Sequence, residues 1–292
     1  MEYRMKFALA LLWLIRLLPL PVIHALAWGL GQLAYLLARE RRRVGLINLR
    51  LCFPDMGLTQ RRRLIRRHFV EMMKLVLEYG IVWWSSPQRL RQLVEVRGLE
   101  HITRLREAGE DVVLFYPHFV AFEICALRLN LEVPLVSVYS HQKNKILDAQ
   151  FYQGRNRFDN AYIVSRQESL RSIIKAMRKE HTPFLYLPDQ DFGPRDAIFV
   201  KFFATDAATI TGLSRIASIA KARVVPAIAR REGARFVLDI HPPLDNFPSD
   251  NLEADTRRMN AFLEQRILEA PEQYFWLHKR FKTRPQGQAR FY

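Results

Sequence analysis

The stretch VVLFYPHFVAFE, residues 112–123, decides how the chain is read. Its apolar opening, Val112–Tyr116, predicts a strand buried on both faces, because parallel strands covered by helices lose the polar alternation. Pro117 cannot continue the ladder, so His118 falls at the strand's carboxyl edge. Open α/β sheets bind ligands at that edge. Glu123 follows five residues later. Five steps along one continuous helix turn by about 500° and would separate the two side chains. They meet if His118 sits in the strand-to-helix turn and Glu123 in the first turns of the helix. The carboxylate then accepts from one imidazole nitrogen and leaves the other as a general base. This is the base-plus-orienter half of a triad without a serine, so the nucleophile is a hydroxyl of the substrate. The bland alternative is a structural histidine, since H-x4-E spacings arise by chance. Phe119, Val120, Ala121 and Phe122 are expected to wall the site with apolar surface suited to a lipid or acyl chain.

Outward from this segment, short β-rich runs recur at Leu135–Tyr139, Tyr162–Val164, Phe184–Leu187, Val224–Ile228 and Phe236–Ile240. Helical patterns lie between several of them. Ser165-x-x-Glu168 has capping-box spacing and precedes Leu170, Ile173, Ile174 and Met177 at helical intervals. A second helix is expected to carry Ile210, Leu213, Ile216, Ala217 and Ala220, and a last one to cover about Leu252–Leu268, ending before Pro271. Strands alternating with helices predict an α/β fold, a sheet flanked by helices. Before it, Thr59 is expected to cap a helix reaching about Glu78. Its first turns carry Arg61, Arg62, Arg63, Arg66 and Arg67, and cations there oppose the helix dipole. That placement fits a surface for anions, or a merely solvated basic face.

Two further segments could carry chemistry. LPDQDFGPR (187–195) again follows an apolar run. Asp189 and Asp191 could bind a divalent metal, cap a turn or hold an arginine; with no histidine ligand nearby, the nonmetal readings are preferred. GRNR (154–157) places Arg155 and Arg157 beside a glycine, a pattern that could clamp phosphate or carboxylate, stabilise an oxyanion, or simply face solvent. His141, His181 and His241 lack metal spacing. There is no P-loop, GxGxxG, GxSxG or HExxH.

The chain has 292 residues, 45 Lys+Arg and 29 Asp+Glu, for a formal charge of +16, with 49% hydrophobic residues. It is too apolar to be disordered. Two cysteines, Cys52 and Cys125, cannot build a disulfide framework or a closed zinc site. The charge calls for an anionic partner: nucleic acid, anionic lipid or an acidic protein. Residues 7–38 are almost wholly apolar, broken by Arg16, His24 and Gln32, with Pro19 and Pro21 near the first third. The stretch is too long for a signal peptide core and lacks a small-residue cleavage site. It is expected to be retained as a membrane anchor over residues 1–40, spanning or interfacial, with a cytosol-facing domain over 41–292. A buried helical hairpin of a soluble protein is the competing reading. Arg39, Arg41, Arg42 and Arg43 follow at once, as expected for a cytoplasmic flank meeting anionic lipid. Lys279, Arg280, Lys282, Arg284 and Arg290 suggest a second basic surface at the C-terminus.

These residues resemble the bacterial lipid A late (secondary) acyltransferases, the lauroyl/myristoyl transferases of lipopolysaccharide biosynthesis, and within them the lauroyl-transferring branch. The likeness spans nearly the whole chain. It runs from RRR (41–43), Asn48-Leu49 and Cys52-Phe53-Pro54 through PHFVAFE, NKILD (144–148), GRNR, LPDQDFGPR, FVKFF (199–203) and TITGLSRIA (209–217) to PEQYFWLHKRFKTRP (271–285). Ala204 departs from the glycine many relatives have there. The resemblance implies a glycerolipid-acyltransferase-like domain at the cytoplasmic face of the inner membrane. It implies transfer of a fatty acyl group from acyl carrier protein to a hydroxyl on an acyl chain of a lipid A precursor, with no metal or cofactor and no nucleic acid. It makes His118 the general base and Glu123 its partner, Arg155 and Arg157 substrate-binding or oxyanion residues, and Asp189 and Asp191 parts of a substrate-binding acidic motif. The rivals are the same fold acting on a glycerophospholipid or aminolipid, and a noncatalytic basic protein bound to membrane.

Overall fold

The computed structural model describes residues 2–292. In chain order its helices are α1 (Glu2–Ile15), α2 (Leu20–Leu37), α3 (Arg39–Cys52), α4 (Leu58–Trp84), α5 (Pro87–Leu93), α6 (Glu100–Glu107), α7 (Phe122–Leu129), α8 (Lys145–Asn156), α9 (Leu170–Arg178), α10 (Gly212–Ala220) and α11 (Leu252–Glu269). The strands are β1 (Val94–Arg97), β2 (Val112–Phe115), β3 (Leu135–Tyr139), β4 (Ala161–Ser165), β5 (Phe184–Tyr186), β6 (Ala197–Phe202), β7 (Thr205–Ile210), β8 (Arg223–Glu232) and β9 (Arg235–Ile240). Seven strands form one sheet in the order β1-β9-β8-β2-β5-β3-β4. Strands β8, β2, β5, β3 and β4 run parallel, and β9 turns back antiparallel on β8. The expected α/β fold is therefore present.

The expected strands are all found. Two features were not anticipated: β1 at the sheet's edge and the antiparallel hairpin β6–β7. Ile210, expected on a helix, closes β7, and α10 begins at Gly212. The hairpin turns at Phe203-Ala204, where Phe203 takes φ 52° and donates its N–H to Glu264. Ala204 is thus accommodated because the left-handed residue is its neighbour. The capping box closes, with Glu168 accepting from the Ser165 N–H at 2.9 Å, although α9 itself begins at Leu170.

The sheet separates two cores. On one face α9, α10 and α11 pack with Phe115, Phe184, Phe202 and Trp276; on the other α7, α2 and part of α4 pack with Tyr116, Leu114 and Leu238. Burying this apolar area from water is the principal drive for assembly. Helix α4, 27 residues long, supports both. Its N-terminal arginines Arg62, Arg63, Arg66 and Arg67 face solvent while Leu64, Ile65 and Phe69 are buried.

The N-terminal apolar segment is two helices, and it does not stand apart from residues 41–292. Helix α2 lies along α4 with Leu20, Ile23, Ala27 and Gly31 inward. A Cβ on Gly31 would stand 2.6 Å from the Val70 Cα, so only glycine permits this approach. At the other end His24 donates to Glu78 at 2.9 Å. Glu78 and Glu71 together hold the buried Arg231 of β8. The outer faces of α1 and α2 expose Phe7, Trp13, Trp28, Leu33, Leu36 and Leu37, and the turn between them exposes Leu17.

Candidate active site

His118 lies just beyond the carboxyl end of β2, and residues 187–195 follow the end of β5, the strand beside it. Neighbouring strands are about 4.8 Å apart. Two loops 71 residues apart in sequence are thereby brought into contact. Asp189 accepts twice from His118: from Nδ1–H at 2.8 Å and from the backbone N–H at 3.0 Å. Its carboxylate is buried. Burial alone would raise its pKa, but the imidazole's charge and hydrogen bonds outweigh this and hold it below the usual range. Nδ1 is thus the protonated nitrogen, and Nε2 makes no hydrogen bond among the described residues.

Sequence reasoning expected Glu123 in that position. The structure places Glu123 elsewhere: it takes Nε of Arg155 at 3.3 Å and Nη2 of the same guanidinium. Glu123 opens α7 and so points across to α8 rather than back to the turn. Burial disfavours the Arg155 charge, but Glu123 more than offsets it and raises the pKa. Gly154 makes the pairing possible, since a Cβ there would come within 2.2 Å of the Trp83 ring. Helix α8 can therefore approach α4 closely enough for Arg155 to reach Glu123. Arg155 also lies over the Tyr139 ring, and its Nη1 makes no hydrogen bond among the described residues.

The remaining expected site residues turn inward. Arg157 donates to the Ser85 carbonyl at 2.6 Å and stacks on Phe158; burial lowers its pKa to about 10. It ties α8 to the end of α4 and does not line the cavity. Asp191 receives the N–H and Oγ1–H of Thr283, both at 2.8 Å, and the Gly193 N–H at 2.9 Å. It fastens the C-terminal segment to the loop after β5. Phe119, Val120 and Ala121 are buried in the core, and only Phe122 of that run faces the cavity.

The block 271–285, whose role the sequence left open, builds the histidine turn. Val120 N–H donates to the Gln273 carbonyl at 2.9 Å, and Phe275 N–H to the His118 carbonyl at 3.2 Å. Tyr274 Oη–H reaches the Asp189 carbonyl at 3.3 Å. Asn48 holds the block from behind through the Trp276 and His278 carbonyls, each at 2.7 Å. Arg280, expected on a basic surface, is buried, donating to the Ala208 carbonyl at 2.7 Å and Thr209 Oγ1 at 2.8 Å.

His118, Glu123 and Arg155 share a cavity of about 940 Å³. It straddles the carboxyl edge of the sheet and extends along both faces. One arm runs beneath α7 and α8, past Ala126, Leu127, Phe151 and Leu135. The other lies towards α9 and α10, past Leu170, Ile173 and Ile216, with Arg166, Arg195 and Arg215 at its rim.

The family described as bacterial lipid A biosynthesis acyltransferase matches residues 2–283. The chain belongs to that family. This acyltransferase is 36% identical over 282 residues to a lipid A biosynthesis lauroyltransferase of Escherichia coli K12, covering 96% of this chain and 91% of that one. It is 31% identical over 290 residues to a palmitoleoyltransferase of the same strain, with 98% and 93% covered. It is 33% identical over 273 residues to the myristoyltransferase, with 90% and 82% covered. Among solved structures, a 1-acyl-sn-glycerophosphate acyltransferase of Thermotoga maritima aligns with 16% identity and a TM-score of 0.39, over 87% of this acyltransferase and 97% of that chain.

Proposed function

We propose that the enzyme transfers a fatty acyl group from acyl carrier protein to a hydroxyl on an acyl chain of a lipid A precursor. The observation that carries this reading is His118: Nδ1 is committed to Asp189, and Nε2 is left free beside a cavity lined largely by hydrocarbon. In the proposed step Nε2 takes the hydroxyl proton as the oxygen attacks the thioester carbonyl. Asp189 fixes the tautomer and stabilises the imidazolium that forms. The tetrahedral oxyanion is met by Nη1 of Arg155, which Glu123 orients. Collapse breaks the carbon–sulfur bond, and the imidazolium returns its proton to the carrier thiolate. His118 and Arg155 then act on the reacting atoms, whereas Glu123 and Asp189 position them.

The site is proposed to work at the cytoplasmic face of the inner membrane. Supporting this, α1 and α2 expose tryptophans and leucines outward while their inner faces pack on α4. Among the described residues α2 is the helix long and apolar enough to cross a membrane, with a mean hydropathy of 1.4. Its side-by-side packing on α4 favours seating in the membrane surface over an independent span. The exposed Arg39, Arg41 and Arg43, with Arg62, Arg63 and Arg67, then border the apolar face, where anionic headgroups and an acidic carrier are met.

The test is mass spectrometry of lipid A from a strain lacking the gene, with the purified enzyme assayed on a lipid A precursor and an acyl carrier protein thioester. Loss of one secondary acyl chain and its restoration in vitro is expected. Unchanged lipid A, with transfer to a glycerophospholipid or aminolipid instead, overturns the acceptor assignment.

A further inference from the structure

The arm of the cavity beneath α7 and α8 reaches the buried Asn130 and Leu135, and the residues there carry an unusual polar feature. Leu135, Ser137 and Tyr139 of β3 point to the same face and all line it. The arm therefore runs the length of β3, about 13 Å from the carboxyl edge of the sheet to its amino edge. At the amino edge it meets Asn130, Leu135 and Ala161. Asn130 caps the end of α7 and is only 3% exposed. It forms a reciprocal amide pair with Asn160, which precedes β4: the Asn130 amide donates to the Asn160 carbonyl, and the Asn160 amide to the Asn130 carbonyl at 2.7 Å. Asn160 also accepts the Leu135 N–H at 3.1 Å. The Asn130 side-chain oxygen is buried without a partner.

We infer that this arm receives the acyl chain being transferred and that Asn130, locked to Asn160, is the stop that sets the chain's length. The inference rests on the acyl-transfer reading of the cavity and assigns its two arms. A donated chain has one free end and one thioester end, so it fits an arm that runs from His118 to the buried Asn130 and Leu135. A hydroxyl borne along the acceptor's chain has substituents on both sides, and needs the open arm with Arg166 and Arg215 at its rim. Selecting one length needs an end wall that does not yield. A floor of leucine or methionine could repack around an extra methylene. The amide pair yields only by breaking hydrogen bonds that join α7, β3 and β4 and leaving buried polar groups unpaired.

The test offers the purified enzyme an equimolar series of saturated acyl carrier protein thioesters with a lipid A precursor, and reads product chain length by mass spectrometry. Ala161→Leu fills the end of the arm and is expected to shift preference to shorter chains, by about tenfold per methylene excluded. Asn130→Ala opens the end and is expected to shift it to longer ones. Should Asn130→Ala fail to fold, as read by its melting curve, Ala161→Leu still decides the matter. A parental chain-length profile in the folded variants overturns the inference, as does loss of transfer at every length with Ala161→Leu. No transfer by the parent enzyme overturns the functional reading and this inference with it.

Discussion

Among the described residues four histidine–carboxylate pairs have almost equal length, and in two of them the histidine is largely buried, His118–Asp189 at 2.8 Å and His24–Glu78 at 2.9 Å. Their chemistry is the same and their settings differ. Glu78 is shared with the buried Arg231, which Glu71 also holds, and the cluster joins an N-terminal helix to α4 and β8. Among the described residues Asp189 has no cationic partner besides the imidazole, and His118 lines the large cavity. A histidine–carboxylate pair is thus not a functional signature by itself. What separates the two is the neighbouring guanidinium and the space beside the ring's second nitrogen.

That contrast can be broken most forcefully at His118. His118→Ala is expected to lower turnover by about 10²–10⁴-fold, the usual contribution of general-base assistance, with little change in melting temperature. Near-normal transfer by a purified, folded variant would remove the general-base assignment. At the other pair the effects should reverse. Arg231→Met leaves Glu71 and Glu78 buried without their cation and should cost about 3–5 kcal/mol of stability, seen as a melting temperature lower by about 10 °C. A variant that melts normally but has lost turnover would contradict the structural role.

Asp189→Asn sharpens the distinction within the site. It keeps the shape but not the charge that selects the Nδ1–H tautomer, and kcat should fall by about 10²–10³-fold. Glu123→Gln should act through Arg155 instead, so its loss should not add to that of Arg155→Ala. Additive losses measured in the double variant would argue against Glu123 as a positioning residue.

A third histidine gives an acid-sensitive control. His68 donates from Nδ1 to the Glu272 carbonyl at 2.8 Å, and burial lowers its pKa to about 4. The unfolded chain binds a proton near pH 6.5 that the folded one refuses until about pH 4. Stability should therefore fall by about 3 kcal/mol as pH drops through that window. His68→Leu should flatten that part of the unfolding curve, measured by denaturant titration at several pH values. The depressed carboxyls of Asp189 and Glu78 stabilise above their unfolded pKa and lose that contribution only below about pH 4. The smallest effect is expected at the surface, where Arg62→Glu with Arg63→Glu should raise KM for carrier or acceptor about 3–10-fold at low salt. Unchanged kinetics with both substrates would leave these cations as a solvated face.

The strand-to-helix turn at His118 was legible because a buried strand must be an apolar run and proline must end it. The two loops at the sheet's carboxyl edge were legible for the same reason. Their pairing was not. Glu123 is near His118 in sequence and Asp189 is far, and nearness along the chain favoured the wrong orienter for Nδ1. The block 271–285 was conspicuous in the sequence, yet that it props up the histidine turn through Val120 and Phe275 is a matter of backbone hydrogen bonds between distant segments. Arg280 and Arg157 read as surface charge because burial of a guanidinium depends on the carbonyls that tertiary packing brings to it.

By itself, then, the sequence determined the α/β class, the apolar N-terminus, the arginine face of α4 and the strand-edge position of His118. All of these follow from local periodicity and from residue types that cannot be buried or exposed at will. Only the tertiary structure decided which carboxylate holds the imidazole, which guanidinium faces the cavity and where the cavity ends. Those outcomes depend on strand order, which sets Asp189 beside His118, and on close helix contacts such as Gly154 against Trp83, which no spacing along the chain encodes.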